Sequence, residues 1–140
     1  MKGIQLIGVI VFLHFFASCG NQMTIFEEEL PEGSIVLKYK LQQKAADDFL
    51  LEILDIQDSR CPVGSVCDDA GNVQVHFRAL TTEGIQERTL GFSEIPGRLQ
   101  SVDTVMNRRI EIHKVTPIPY ADRPVSALNC YEVVVLVNEI

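Results

Sequence analysis

The chain contains no tryptophan, few aromatic residues and no run of basic residues longer than the pair Arg108 and Arg109. Its 12 lysines and arginines are outnumbered by 19 aspartates and glutamates, which gives a formal net charge of −7. Such an acidic surface repels the phosphates of nucleic acids, whose non-specific binding depends on basic side chains. The composition therefore predicts that nucleic acid is not a partner of this protein.

Catalytic and phosphate-binding motifs are also missing from the sequence. It has no GxSxG nucleophile motif, no HExxH metal motif and no glycine-rich phosphate loop. Cys130 could act as a nucleophile only with His76 or His113 as its base, and a nucleophilic thiol has to be exposed. We predict a non-catalytic protein, and a thiol-dependent enzyme is the least favoured alternative.

Potential metal ligands are present, but their spacing does not match a known type of site. A structural zinc site needs four thiolate or imidazole ligands, typically in two close pairs. Outside the one close pair of cysteines, the possible zinc ligands are scattered: His76, His113 and Cys130. Calcium prefers oxygen ligands, but the acidic residues near that pair lack the pattern of an EF-hand loop. The weak calcium candidates are Asp55, Asp58, Asp68 and Asp69. We predict neither a metal nor another cofactor.

The first 18 residues have the features of a cleaved export signal. Lys2 is followed by an apolar segment that ends in small residues and is shorter than the roughly 20 residues of a membrane-spanning helix. The segment ends in Phe16-Ala17-Ser18-Cys19, which resembles the lipobox of bacterial lipoproteins. This resemblance implies that Cys19 becomes the first mature residue and carries a lipid anchor. Two or more acyl chains are needed for stable anchoring in a membrane.

These assignments divide the chain into three parts. Residues 1–18 are the signal peptide, residues 19–33 are the lipidated N-terminus with an acidic tether, and residues 34–140 are a single β-domain. We expect the acidic run Glu27 to Glu29 in the tether to be solvated. The predicted location is the bacterial cell envelope, with the lipoprotein anchored in a membrane and facing the periplasm or the cell exterior.

Alternation of apolar and polar residues predicts strands through most of the β-domain. The clearest strand is 72–80, followed by a turn at 81–84 and a return strand at 85–92. Further strands are predicted at 34–42, 47–57, 109–115 and in the β-branched run that closes the chain. The predicted fold class is all-β: a small antiparallel sandwich or barrel of about six or seven strands with one short disulfide loop.

Three segments are harder to assign. Residues 93–107 contain a Pro-Gly turn and little periodicity, and residues 116–124 contain three prolines, which exclude a helix or a central strand. The segment 47–57 fits the helical and the strand period equally imperfectly, because its apolar residues occupy both parities. We expect a strand there because the segment leads directly into the pair of cysteines.

Cys61 and Cys67 enclose the short stretch PVGSV and are the obvious disulfide pair of an exported chain with four cysteines. Pro62 and Gly64 allow the chain to fold back over so short a distance. Closing a loop of about seven residues stabilises the fold by roughly 2–2.5 kcal/mol on the chain-entropy estimate. If Cys19 carries lipid, Cys130 is left over and is predicted to be a free thiol packed in a strand as a small hydrophobic residue.

The block DSRCPVGSVC at 58–67 is followed by AGNVQVHF and, later in the chain, by IEIHKVTPIP and YEVVVLV. Together these segments resemble a family of small exported bacterial proteins, often lipoproteins, that share a D-S-R-C-P-x-x-x-x-C block leading into a strand. That family usually continues with Val-Trp-Ala-Gly, where this chain has Asp68 and Asp69 before Ala70 and Gly71. The resemblance implies export and a fold of this kind, but no particular activity.

These features predict a lipid-anchored, non-catalytic cell-envelope protein that serves as a binding or structural module. Its expected partners are the membrane, through the anchor, and a protein or small-molecule ligand. The alternative is a protease inhibitor that presents the Cys61–Cys67 loop to a cleft, because a rigid loop loses little conformational entropy on binding. The candidate binding residues are two apolar anchors and a charged, exposed rim: Val63, Val66, Arg60, Asp68 and Asp69.

Overall fold

The computed structural model describes residues 29–93, 101–125 and 127–140. These residues form eight strands: β1 (Ser34–Lys38), β2 (Gln43–Ala46), β3 (Phe49–Asp58), β4 (Val73–Thr81), β5 (Gly84–Phe92), β6 (Val102–Val105), β7 (Arg108–Thr116) and β8 (Glu132–Glu139). One turn of 3-10 helix, Leu128–Cys130, precedes β8. The predicted signal peptide, the lipidation of Cys19 and most of the acidic tether fall on residues outside the described ranges.

The strands form two four-stranded sheets in which all neighbouring strands are antiparallel. The first sheet has the order β1-β8-β7-β6, and the second sheet has the order β2-β3-β4-β5. Because β8 lies between β1 and β7, the β-branched run at the end of the chain is a central strand. The predicted all-β fold of the antiparallel sandwich type, with one short disulfide loop, is confirmed.

The hydrophobic core lies between the two sheets. On β4 the side chains of Val73, Val75, Phe77 and Ala79 are all buried, as the alternation of this segment predicts. The first sheet contributes Ile110, among others, to the same buried cluster. Full burial of a large aliphatic or aromatic side chain stabilises a fold by about 1.5–3 kcal/mol. The core therefore supplies the main force that holds the two sheets together.

A β-bulge explains why the segment 47–57 fits neither period. The register of β3 against β4 shifts between Ile53 and Asp55, so one extra residue is inserted and the alternation changes parity at that point. Phe49, Leu51 and Ile53 are buried on one side of the bulge, and Ile56 is buried on the other. The strand is continuous, as predicted, but its inward-facing positions are odd-numbered before the bulge and even-numbered after it.

Two short strands, β2 and β6, were not predicted from the periodicity of the sequence. The predicted strand 34–42 ends at Lys38 and is followed by a turn, so that Leu41 is exposed, and β2 begins at Gln43. The segment without periodicity, 93–107, contains β6. This strand pairs with β7 across a tight turn, where Met106 and Asn107 have φ values of 50° and 60°. Strands of four residues contain too few alternations to give a clear signal.

Candidate functional site

A disulfide bond between Cys61 and Cys67 closes the connection from β3 to β4, and we call residues 61–67 the stapled loop. The two Cα atoms are 6.0 Å apart, within the range usual for disulfides. The predicted pairing is confirmed. At the base of the loop the N–H of Ser59 donates to the carbonyl of Asn72 at 2.8 Å, and the N–H of Cys61 donates to that of Ala70, also at 2.8 Å. These bonds extend the β3–β4 ladder beyond the strands.

Gly71 allows the two sides of this base to approach each other. Its φ is +71°, and a Cβ atom added there would lie 1.8 Å from the carbonyl oxygen of Ser59. No side chain fits at that distance, and a positive φ is also unfavourable for residues other than glycine. The backbone at the base of the stapled loop therefore requires glycine at position 71.

Arg60 occupies the space beneath the loop, where it forms what we call the buried triad with Asp58 and Tyr131. Its Nε and Nη2 donate to the two carboxylate oxygens of Asp58 at 2.9 and 2.6 Å. Its Nη1 donates to the carbonyl of Val115 at 2.9 Å, and Nη2 also donates to that of Pro117 at 2.7 Å. Arg60 is thus buried, and its predicted place on the exposed rim is wrong. The guanidinium can be buried because Asp58, a carbonyl at the end of β7 and the carbonyl of Pro117 together satisfy its hydrogen bonds.

Tyr131 completes the triad from the start of β8, where its hydroxyl donates to Oδ2 of Asp58 at 2.9 Å. Burial favours the neutral form of Asp58, but the hydrogen bonds and positive charge of Arg60 outweigh it and lower the pKa of this carboxyl. Burial, together with the negative charge of Asp58, raises the pKa of Tyr131 to about 12. Neither group changes protonation near neutral pH, so this arrangement is suited to holding the structure together rather than to acid–base catalysis.

A second loop runs alongside the stapled loop, and we call residues 117–123 the proline loop. The N–H of Val63 donates to the carbonyl of Pro119 at 2.9 Å, and the N–H of Ala121 donates to the carbonyl of Val63 at 3.0 Å. The proline loop also begins at the carbonyl of Pro117 that Arg60 binds. The two loops are therefore joined in two ways: by backbone hydrogen bonds at Val63, and by the buried guanidinium of Arg60.

Apolar side chains project from the two joined loops into solvent. Val63 and Val66 are 51% and 103% exposed, and Ile118 and Tyr120 are 40% and 37% exposed. We call these four residues the loop platform. The guanidinium of Arg123 lies 5.1 Å from the centre of the Tyr120 ring. A shallow depression of about 140 Å³ lies between Val63 and Ile118.

Two of the four residues of the loop platform were predicted from the sequence as candidate binding residues. Val63 and Val66 were candidates because they lie between paired cysteines. Ile118, Tyr120 and the triad partner Tyr131 were missed, since they are distant in sequence from that loop. The alternation of apolar and proline residues in TPIPY is the one local signal that could have identified the first two. Asp68 and Asp69 are exposed beside the loop, as expected of a rim.

The structure separates the residues that were considered as metal ligands. Both Asp55 and Asp58 belong to β3, but Asp58 is inside the buried triad, whereas Asp55 lies on the outer face of the sheet, opposite His76. His113 is exposed on β7 of the first sheet. Within residues 29–93, 101–125 and 127–140, no group of three or more histidine, cysteine or acidic side chains has the arrangement of a metal site.

Cys130 differs from its prediction. It ends the 3-10 turn before β8 rather than lying within a strand, it is partly exposed, and it is disulfide-bonded. The predicted buried free thiol is therefore wrong. None of the cysteines in the described part of the chain carries a free thiol, so the Cys130–histidine arrangement considered above has no nucleophile in this structure.

In the described ranges, no helix has the length and apolar character that crossing a membrane requires. Comparisons of the chain with protein-family models, with curated proteins and with solved structures give no match. The roles assigned to the stapled loop, the buried triad and the loop platform therefore rest on their geometry.

Proposed function

We propose that this protein is a lipid-anchored, non-catalytic component of the bacterial cell envelope that binds another protein through the loop platform. The observation that carries the proposal is the backbone pairing of Val63 with Pro119 and Ala121. This pairing, the disulfide and the buried triad support four apolar side chains that remain in solvent. Holding a surface rigid in this way lowers the entropy lost on binding.

The shape of the surface favours a protein over a small molecule. Pockets for drug-sized ligands typically enclose about 300–1,000 Å³, whereas the depression beside the platform measures about 140 Å³. Val66 projects fully into solvent and suits insertion into a partner's pocket. Exposed apolar groups with charged neighbours are typical of protein contact surfaces, and here the neighbours are Asp68, Asp69 and Arg123.

The protease inhibitor remains the second candidate, and the structure narrows how such an inhibitor would work. The N–H of Val63 donates to the proline loop and its carbonyl already accepts a bond from that loop, so its N–H cannot also pair with a protease cleft. Val66 is therefore the residue that would enter the specificity pocket. In this case Val66→Asp abolishes the inhibition of a susceptible protease, whereas Val63→Asp weakens it less. If neither variant alters inhibition, the inhibitor hypothesis fails.

The binding proposal can be tested with a photo-reactive amino acid at position 66 and, as a matched control, at position 85. Ile85 is also exposed, but it lies at the far end of the second sheet, beside the β4–β5 turn. We expect one defined protein to be cross-linked in intact cells from position 66 only. The purified partner should bind the full chain, and Val63→Asp with Val66→Asp should weaken binding at least about tenfold, or about 1.4 kcal/mol. Equal labelling from both positions would contradict the proposal.

The proposed anchor rests on the resemblance of Phe16-Ala17-Ser18-Cys19 to a lipobox, and it has a consequence for the disulfides. Cys61 and Cys67 bind each other, and Cys130 is disulfide-bonded. A sulfur that carries a thioether-linked lipid cannot also form a disulfide. A lipidated Cys19 therefore cannot be the disulfide partner of Cys130.

Intact-mass and peptide-mass analysis of the membrane-extracted protein, before and after reduction, tests this consequence. The expected result is an N-terminal peptide that begins at Cys19 and carries acyl chains. Reduction should then open the Cys61–Cys67 bond and release a separate thiol from Cys130. An N-terminal peptide that is linked to the Cys130 peptide and carries no lipid would overturn the anchor. That result would leave the loop platform as it is, so the two parts of the proposal can fail separately.

A further inference from the structure

The outer face of the second sheet carries a polar depression. None of its lining residues belongs to the loop platform. It measures about 110 Å³ and is lined by Asp55, Gln57, Gln74, His76 and Thr89. These residues belong to three neighbouring strands and form two cross-strand rows. Asp55 lies opposite His76, which lies opposite Thr89, and Gln57 lies opposite Gln74.

Two backbone features create this depression. The β-bulge between Ile53 and Asp55 brings Asp55 to the outer face, where strict alternation would have turned it toward the core. Gly91 is the residue of β5 that pairs with Gln74, and it has no side chain, so β5 adds no side chain to the row of glutamines. The depression therefore depends on the extra residue in β3 and on the glycine in β5.

The lining combines hydrogen-bond donors and acceptors within one small area. Asp55 offers a carboxylate, Gln57 and Gln74 offer amides, Thr89 offers a hydroxyl and His76 offers an imidazole. The Nε2 of Gln57 lies 3.3 Å from Oδ2 of Asp55, which orients this carboxylate. A cyclic molecule with adjacent hydroxyl groups can bind such a set, because each hydroxyl both donates and accepts.

The charges around the depression exclude two other ligand classes. Arg78, two residues from His76 on β4, is already paired with Glu87 at 2.8 Å, and Glu87 in turn lies 3.5 Å from Nε2 of His76. Asp55 is the acidic residue among those that line the depression, and its negative charge disfavours phosphates and other anions. Only polar side chains line the depression, so an apolar ligand would leave them without hydrogen bonds.

We propose that the polar depression binds one unit of a neutral saccharide, with Asp55 and Gln74 as its main hydrogen-bonding groups. The depression, of about 110 Å³, is too small to enclose a ligand and can contact only one face of a single sugar ring. The expected dissociation constant is therefore in the millimolar range, about 1–10 mM. This site is independent of the lipid anchor and of the loop platform.

Titration of the isotope-labelled, detergent-solubilised full chain with N-acetylglucosamine, followed by amide NMR spectra, tests the proposal. We expect saturable shifts of the amides of Gln74, His76 and Thr89. Glucuronic acid, which has a similar ring and an added carboxylate, should bind at least about fivefold more weakly because Asp55 repels it. The absence of saturable shifts at about 100 mM, well above the millimolar range, would overturn the proposal. Tighter binding of glucuronic acid would also overturn it.

Two pairs of matched variants locate the site. Asp55→Ala and Gln74→Ala should each weaken binding at least about fivefold, as expected when a polar contact of about 1 kcal/mol is lost. Asp122→Ala and Gln42→Ala remove the same types of exposed side chain elsewhere and should leave binding unchanged. Thermal unfolding confirms that each variant is folded. If the controls weaken binding as much as the site variants do, the depression is not the binding site.

Discussion

Arg60 and Arg78 each donate two hydrogen bonds to one carboxylate, but their surroundings differ. The contacts of Arg60 with Asp58 measure 2.9 and 2.6 Å, and those of Arg78 with Glu87 measure 3.1 and 2.8 Å. The side chains of the first pair are 6% and 7% exposed, whereas those of the second pair are 35% and 44% exposed. Water can replace the partners of the second pair but not those of the first.

The two pairs also differ in what they connect. Arg78 and Glu87 lie opposite each other on adjacent strands of one sheet, where the backbone ladder already determines the register. Arg60, in contrast, reaches from the end of β3 to carbonyls at the end of β7 and in the proline loop. Arg78 donates both bonds to Oε1 of Glu87, whereas Arg60 bonds both oxygens of Asp58. The Arg78 pair is therefore an addition to an existing sheet. The contacts of Arg60 join the two sheets and set the position of the stapled loop.

Replacement of Arg60 by alanine is expected to have the largest effect. The loss of one partner from a buried ion pair typically costs about 3–5 kcal/mol, because the remaining charge is left without compensation. Urea unfolding monitored by circular dichroism measures this change in the free energy of unfolding. The matched Arg78→Ala variant should unfold almost as the wild type does, since its pair is exposed. Equal losses in the two variants would contradict the comparison.

A double variant separates the two contributions of Arg60. Asp58→Asn with Arg60→Met removes both charges and keeps a side-chain acceptor for Tyr131. If the buried charge of Asp58 causes the loss, the double variant should be more stable than Arg60→Ala. If the double variant is no more stable, the loss of stability in Arg60→Ala comes from the unpaired carbonyls of Val115 and Pro117. Hydrogen bonds, and not charge, would then distinguish Arg60 from Arg78.

Removal of the disulfide should have an intermediate effect. Cys61→Ser with Cys67→Ser is expected to lower the free energy of unfolding by about 2.4 kcal/mol, because the unfolded chain regains the entropy of a loop of about seven residues. The buried triad remains, so the folded stapled loop should keep its contacts with the proline loop. Amide exchange at Val63 and Ala121 in the folded protein tests this. Rapid exchange at both positions would show that the disulfide, and not Arg60, holds the two loops together.

The smallest of these effects is expected for Tyr131→Phe, which removes one hydrogen bond to a buried carboxylate and costs about 1.5 kcal/mol. The pKa of Tyr131 is raised from 10.0 to about 12 in the folded protein. Its contribution is therefore fully present below pH 10 and is lost as the pH rises through about 12. The difference in stability between wild type and variant should narrow over this range. A constant difference would show that the hydroxyl of Tyr131 is not bound to a charged partner.

Parts of the fold could be predicted because they depend on neighbouring residues. The alternation at 72–80 identified β4 and its buried face, and the spacing of Cys61 and Cys67 identified the disulfide. The predictions failed where short strands or distant contacts decide the outcome. β6 has four residues, and Arg60 looks like a surface residue until the carbonyls that bind it, 55 and 57 positions away, are known.

Cys130 illustrates the same limit at the level of a single residue. Its β-branched neighbours indicated a strand, but the structure places it at the end of a 3-10 turn and in a disulfide. The loop platform was predicted only in part for a similar reason. Val63 and Val66 are marked by the cysteines beside them, whereas Ile118 and Tyr120 belong to the surface only because the proline loop pairs with Val63.

By itself, the sequence determined the all-β class, most strands, the Cys61–Cys67 bond and the irregular proline loop. These features follow from alternation, turn residues and short cysteine spacing, all of which act over a few positions. The tertiary structure alone decided the change of parity at the bulge of β3, the burial of Arg60 and the meeting of the two loops. Each of these depends on hydrogen bonds between distant segments, and their partners become neighbours only when the two sheets pack.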